Sequence, residues 1–224
     1  MGIAWVFPGQ GSQKLGMASA VFKLPGAWER FSSASRLLGR DLQTICERDA
    51  SDDYGFLGEL SRTRNTQPAL FVVESLIVDE LKRQGRKPSL VAGHSLGELT
   101  ALYAADVISA DQALILILKR SVLMSAARGG AMTAVMGFER KELDALINAH
   151  SDIVIANDNS ESQVVLSGNS ATLEVACREL KCKRAIPLAV SGAFHSPFMS
   201  QAADAFAAEL DAMSFHDASV PVLS

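Results

Sequence analysis

The chain has 224 residues, 48% of them apolar and 21% charged, with a formal net charge of −4. This composition fits a globular protein of one large or two modest domains, and the absence of any long Lys or Arg run argues against a nucleic-acid partner. No apolar stretch reaches membrane-spanning length, because charges such as Asp79, Asp106 and Lys119 interrupt the longest ones.

Ile3 to Phe7 reads as a first buried strand rather than a signal peptide, since no basic leader precedes it. Val6 breaks the myristoylation motif that Gly2 alone would suggest. Pro8 to Ser12 is a loop at the strand's end, and a polar, helix-prone region follows to about Leu60. Gln67-Pro68 opens a helix through Leu70, Val73, Ile77 and Leu81, closed by Gly85 and Pro88.

Ser89 to Ala92 is an apolar run leading into Gly93-His94-Ser95-Leu96-Gly97. Leu96, Leu99, Leu102, Tyr103 and Val107 then recur at helical spacing. Strand, G-x-S-x-G and helix in that order describe a nucleophile elbow, with a serine hydroxyl lifted off the sheet's end. The turn is tight, so Cβ atoms at the two glycine positions would collide with their neighbours. Helix N-terminal N–H groups would face a developing oxyanion. The alternative is a Gly-rich turn that happens to carry a serine.

A helix is expected from Asp111 to Arg128, ended by Gly129-Gly130. Ala131 to Gly137 reads as a strand, Glu139 to Ala149 as a helix, and Asp152 to Asn157 and Gln163 to Ser167 as strands. Ser170 to Leu180 reads as a helix and Arg184 to Ala189 as a last strand. The order βαββαβ is the ferredoxin-like pattern. The expected fold is α/β: an α/β-hydrolase-like parallel-sheet large domain, residues 1–128 and 190–224, with an inserted ferredoxin-like small domain, 129–189. Pro197 to Met213 is expected as a large-domain helix, and Val220 to Leu223 as the start of a strand.

A serine nucleophile needs a base, and the chain offers His94, His150, His195 and His216. His94 lies inside the elbow, His150 closes a helix and His216 sits in a polar loop. His195, in Ser191-Gly192-Ala193-Phe194-His195-Ser196-Pro197, is the best candidate by position; the alternative is a solvated loop histidine. Arg120 lies on an otherwise apolar helix face, where an arginine ordinarily snorkels to the surface. The functional alternative is a planar fork for a carboxylate. Two glycines flank Gln10, which would leave its N–H free to point at an oxyanion; the loop otherwise resembles a generic turn. No metal-ligand spacing, phosphate loop or dinucleotide fingerprint appears. Three cysteines, Cys46, Cys177 and Cys182, read as reduced thiols in a cytosolic protein.

Six blocks, in order and at compatible spacing, carry a family resemblance. They are Phe7-Pro8-Gly9-Gln10-Gly11-Ser12-Gln13, Asn65 to Leu70, Gly93 to Glu98, Arg120 with Leu123-Met124, Asn157 to Ser160 with Gln163 to Gly168, and Ser191 to Ser196. Over its whole length the chain resembles the malonyl-CoA:acyl carrier protein transacylases of bacterial or plastid fatty-acid synthesis. The resemblance implies Ser95 as acyl-carrying nucleophile, His195 as its base, and the backbone N–H groups of Gln10 and Leu96 as oxyanion hole. It implies that Arg120 holds the free malonyl carboxylate, and that Gln10, Phe194 and Asn159 also line the substrate site. Phe194 and Leu96 are similar to the malonyl-selective form; methylmalonyl-selective relatives tend to have serine and glutamine there. The implied partners are malonyl-CoA and acyl carrier protein, with no cofactor, metal, nucleic acid or membrane. A monomer is expected in the cytoplasm, or in the plastid stroma after loss of a leader.

The chain departs from the family at Leu99, where an aromatic is usual, and a packing change is expected. Family members also continue beyond position 224, with strands that complete the large sheet and a carbonyl that orients the histidine. A chain ending there is expected to expose an apolar edge, to be poorly soluble and to have little activity until the family-length end is restored. Three rival readings remain. An esterase or thioesterase would need an acid between Ser95 and His195; Asp106, Asp111 and Asp144 are available, but none sits in a recognisable post-strand loop, no HGGG-type loop occurs and Arg120 would have no role. An inactive acyltransferase remnant is the second. The third is a malonyl transferase serving polyketide synthesis or malonate decarboxylation.

Overall fold

A computed structural model describes residues 2–47 and 58–224; Met1 and residues 48–57, part of the expected helix-prone region, lie outside the described residues. The chain divides into two compact units, residues 1–122 with 207–224, and residues 123–206.

The first unit holds a parallel sheet of β1 (Ala4–Phe7), β2 (Leu90–Gly93) and β7 (Val222–Leu223), in the order β1-β2-β7. β1 and β2 run in step from Ala4 opposite Leu90 to Phe7 opposite Gly93. Around the sheet the chain forms α1 (Ala27–Leu38), α2 (Leu42–Glu47), α3 (Thr63–Arg83), α4 (Gly97–Ala104) and α5 (Ala110–Ala126), whose last residues pass into the second unit. Phe71, Leu76, Leu114, Leu116 and Ile117 are almost fully buried and supply much of this unit's core.

Two expectations need correction here. β1 is not a buried strand: Val6 is 70% exposed and Ile3 57%, while Phe7 is buried. The strand pairs only with β2 among the described residues, so its outer edge and one pleat face are open. Nor does the 21-residue α3 begin at Gln67-Pro68; it begins at Thr63, and Pro68 lies inside it. Proline removes one helical hydrogen bond. The preceding turn survives because its side chains anchor it elsewhere: Thr66 Oγ1 donates to Leu60 O at 2.5 Å and Asn65 Nδ2 to Glu59 O at 2.8 Å.

The second unit runs β3 (Ala131–Phe138), α6 (Arg140–Ala149), β4 (Ile153–Ser160), β5 (Gln163–Gly168), α7 (Ser170–Glu179) and β6 (Cys182–Pro187). Its antiparallel sheet has the order β4-β5-β3-β6. This is the ferredoxin-like arrangement. Val135, Phe138, Leu143, Ile153, Leu166 and Leu173 form its core, where inward strand positions meet the apolar stripes of both helices. Asn169 caps α7, its Oδ1 accepting N–H groups of Ala171 and Thr172. The helix expected from Pro197 to Met213 is shorter and divided. Pro197–Met199 is a 3-10 turn, and α8 is Ser200–Asp211, crossing back into the first unit.

Candidate active site

In a parallel sheet the loops after adjacent strands emerge at the same end. Here the loop after β1 and the elbow after β2 are pressed together. A Cβ at Gly97 would lie 2.2 Å from Phe7 O and 2.8 Å from Pro8 O, and one at Gly93 would lie 2.1 Å from the Gly97 carbonyl carbon. The backbones therefore approach as closely as glycine allows. His94 N–H donates to Phe7 O at 2.9 Å, and Gly97 N–H closes the turn onto His94 O at 3.0 Å. Ser95, between them, is held at φ 55°, left-handed backbone that costs a residue with a Cβ roughly 1–2 kcal/mol. The neighbouring contacts over-determine it. Leu96 is fully buried and leads into α4, so its N–H belongs to that helix's positive end.

Arg120 Nη2 donates to Ser95 Oγ at 3.0 Å. The guanidinium is half-buried, not splayed to the surface. Burial lowers its pKa from the ordinary value and nearby Glu98 opposes the shift. Arginine stays charged regardless, so a permanent cation stands at the serine oxygen. It favours a developing alkoxide and has donors suited to a carboxylate. Gln10 turns its side chain toward α3, Nε2 donating to Thr63 Oγ1 at 3.2 Å. Thus the first unit brings together Ser95, Leu96, Arg120 and the Gln10 loop.

His195, Phe194 and Asn159 belong to the second unit. His195 is exposed and, like Ser95, has left-handed backbone, φ 56°. Ser196 braces its loop: the hydroxyl donates to Ala193 O at 2.6 Å and accepts Phe198 N–H at 3.3 Å. Phe194 is buried against Met132, Ala134 and Val165. Asn159 is exposed near the end of β4, where the register with β5 shifts.

The other candidates have structural surroundings. His150 caps the C-terminal end of α6, and His216 N–H donates to Val107 O at 2.9 Å. Asp106 pairs with Lys82 at 2.6 Å, Asp144 with Arg140 at 3.0 Å, and Asp111 lies in the first turn of α5. Among the described residues no helix is long and apolar enough to cross a membrane, and no cluster of His, Cys, Asp or Glu could hold a metal ion.

Sequence reasoning missed Glu74. It is 8% exposed on α3, and its Oε2 accepts the hydroxyl of fully buried Thr100 on α4 at 2.6 Å. Its other oxygen, Oε1, is buried and accepts no hydrogen bond among the described residues. Burial pushes the carboxyl up to about 7, the Thr100 hydrogen bond opposing the rise. The available signal was a charge beside the apolar stripe of Leu70, Val73 and Leu81.

Residues 4–224 match the family described as acyl transferase domain. The chain is 45% identical over 224 residues to a malonyl CoA-acyl carrier protein transacylase of Synechocystis sp., covering 100% of this chain and 74% of that protein. The crystal structure of the Synechocystis malonyl-CoA:ACP transacylase superposes with a TM-score of 0.93 at 45% identity, over 100% of this chain and 74% of that one. A Bacillus subtilis polyketide biosynthesis malonyl CoA-acyl carrier protein transacylase is 38% identical over 229 residues, 99% of this chain and 77% of that protein. A structure of a malonyl-transacylase with its type II PKS acyl-carrier protein gives a TM-score of 0.89 at 36% identity, over 100% of this chain and 74% of that one. With a Gly-flanked serine at a strand-to-helix elbow and an arginine on its hydroxyl, the chain belongs to the acyl transferase domain family, among the malonyl-CoA:acyl carrier protein transacylases.

Proposed function

We propose that the protein transfers a malonyl group from malonyl-CoA to the phosphopantetheine thiol of acyl carrier protein through a malonyl-serine intermediate. The observation that carries this reading is the Arg120–Ser95 contact, 3.0 Å from Nη2 to Oγ. Only one methylene separates the malonyl thioester carbonyl from its carboxylate. A guanidinium that touches the nucleophile is therefore within short reach of the carboxylate of an acyl group bound there, and acetyl offers it nothing. His195 takes the Ser95 proton as Oγ attacks the thioester carbon. The tetrahedral oxyanion is held by the N–H groups of Gln10 and Leu96, each contributing roughly 3 kcal/mol. The C–S bond breaks and CoA leaves as the thiol, protonated by His195. The phosphopantetheine thiol then gives its proton to His195 and attacks the acyl-serine carbonyl, and Ser95 recovers the proton as it departs. Phe194 and Asn159 complete the acyl site.

These steps call on no cofactor, and the cytoplasm is the compartment proposed for them. Support for a protein partner comes from β6, an edge strand on which Lys183 and Arg184 are exposed and form no ion pair among the described residues. Such an edge fits a phosphate-bearing, acidic carrier.

The test is intact mass after mixing with malonyl-CoA, followed by a chase with phosphopantetheinylated carrier. A single malonyl adduct should form, be absent in Ser95→Ala, and move to the carrier. His195→Ala should slow its formation on the order of 10²–10⁴-fold. Release of free malonate without transfer would favour a hydrolase, and an adduct on the Ser95→Ala protein would remove the serine from the mechanism.

A further inference from the structure

α4 begins at the elbow, so any roll of this helix about its axis swings Ser95 and Leu96. Two polar links on one face of α4 oppose such a roll. Thr100 donates to Glu74, and Tyr103, three residues further on, donates its hydroxyl to Asp79. Asp79 is in turn held by Arg30 of α1 at 2.9 Å, and Arg30 also donates to Ser75 at 2.7 Å. The outer link thus has a salt bridge behind it. The inner link, nearer the elbow, is a single hydrogen bond to a carboxyl buried beside a groove of about 470 Å³. Trp5, Phe7, Met17, Leu70 and Val73 line that groove, and among the described residues Glu74 is its one ionisable lining residue.

A leucine at this position would fill the same space without burying a charged group, and helix packing alone would favour it. The polar pair adds direction: a hydroxyl-to-carboxylate bond has a preferred length and angle, which apolar contact lacks. Cα atoms stand about 2.3 Å from a helix axis, so a roll of roughly 20° displaces the elbow by nearly 1 Å. A displacement of about 1 Å at a reacting centre can cost on the order of 100-fold in rate.

We propose that Glu74 is a positioning residue for the elbow: by accepting the Thr100 hydroxyl it fixes the angular setting of α4 and thereby the aim of Ser95 Oγ and the Leu96 N–H. This rests on reading Ser95 as the nucleophile.

The experiment measures two acylation rates, one with malonyl-CoA in single turnover and one with a fluorophosphonate probe that reports any activated serine. The probe keeps the two readings distinguishable, because it scores elbow geometry even if malonyl-CoA proves not to be the donor. Thr100→Val and Glu74→Leu should lower the maximal rate with both reagents by about 10- to 100-fold. The half-saturating malonyl-CoA concentration should stay within about two-fold, since binding is untouched. The double variant should be no slower than the worse single one. Thr100→Ser and Glu74→Gln keep donor and acceptor and should recover rates to within about three-fold of the parent. Parent-like rates in Thr100→Val and Glu74→Leu would overturn the proposal. So would equal losses in Thr100→Ser and Glu74→Gln, which would reduce the pair to a packing element.

Discussion

Replacing Glu74 by Gln should change how the stability of the first unit depends on pH. In the folded protein burial pushes this carboxyl up to about 7 from its ordinary 4.5, against the smaller opposing effect of the Thr100 hydrogen bond. Between those two values the folded state binds more protons at this site than the unfolded chain does, so stability falls as pH rises. The contribution is fully present below pH 4.5 and is lost as pH passes through about 7. The two values differ by 2.5 units (7 − 4.5), which at about 1.4 kcal/mol per unit comes to roughly 3 kcal/mol. Glutamine does not titrate, so the parent-minus-variant difference isolates this group from every other. Both tryptophans, Trp5 and Trp28, lie in the first unit, and urea unfolding followed by their fluorescence reports that unit. Relative to Glu74→Gln, the parent should lose roughly 2–3 kcal/mol between about pH 5 and about pH 8. A difference that stays flat, or grows in the parent's favour as pH rises, would refute the assignment of a desolvated carboxyl at this place.

Arg120→Ala should cut malonyl-CoA use far more than acetyl-CoA use, by orders of magnitude in their ratio, because only malonyl leaves a buried carboxylate unpaired; side-by-side loading rates decide it, and an equal fall for both would make Arg120 structural. Ser95→Gly should abolish loading yet raise stability by about 1 kcal/mol over Ser95→Ala, since glycine alone relaxes at φ 55°; denaturant midpoints of the two variants measure it. Gly97→Ala should cost about 4 kcal/mol or more, because its Cβ would stand 2.2 Å from Phe7 O with backbone on both sides; a soluble variant with the parent's thermal midpoint would contradict the close approach.

The second unit was readable because its signals are local. Its four strands and two helices all fall within contiguous sequence, and observed boundaries differ from the expected ones by one to three residues at most ends. The elbow was readable for a similar reason: two glycines and a serine within five positions require one backbone path. What local pattern left open, or did not show, depended on partners distant in sequence. Arg120 sits on a helix whose periodicity cannot say whether a long side chain lies outward or reaches Ser95, 25 residues earlier. The start of α3 was misjudged because Pro68 is a strong local stop, and the side chains that outweigh it, Asn65 and Thr66, find acceptors in the preceding turn. Glu74 drew no attention because a glutamate within a long helix ordinarily faces water. Its burial follows from the later arrival of Thr100 on another helix. β1 read as buried because an apolar run carries no mark of being an edge.

The strand order of the first unit also has a bearing on synthesis. β2 cannot complete its pairing until Val222 emerges to meet Val91, about 130 residues later, whereas every strand of the second unit finds its partner within residues 131–187. On the ribosome the second unit, though interposed between the two parts of the first, has its whole sheet available sooner. β1 and β2 can pair once Gly93 is made, but the other edge of β2, which leads into the elbow, must wait for β7. A chaperone that engages the nascent chain would therefore find its substrate in the first 122 residues, and a slower passage through the codons of β3 to β6 would lengthen that exposure.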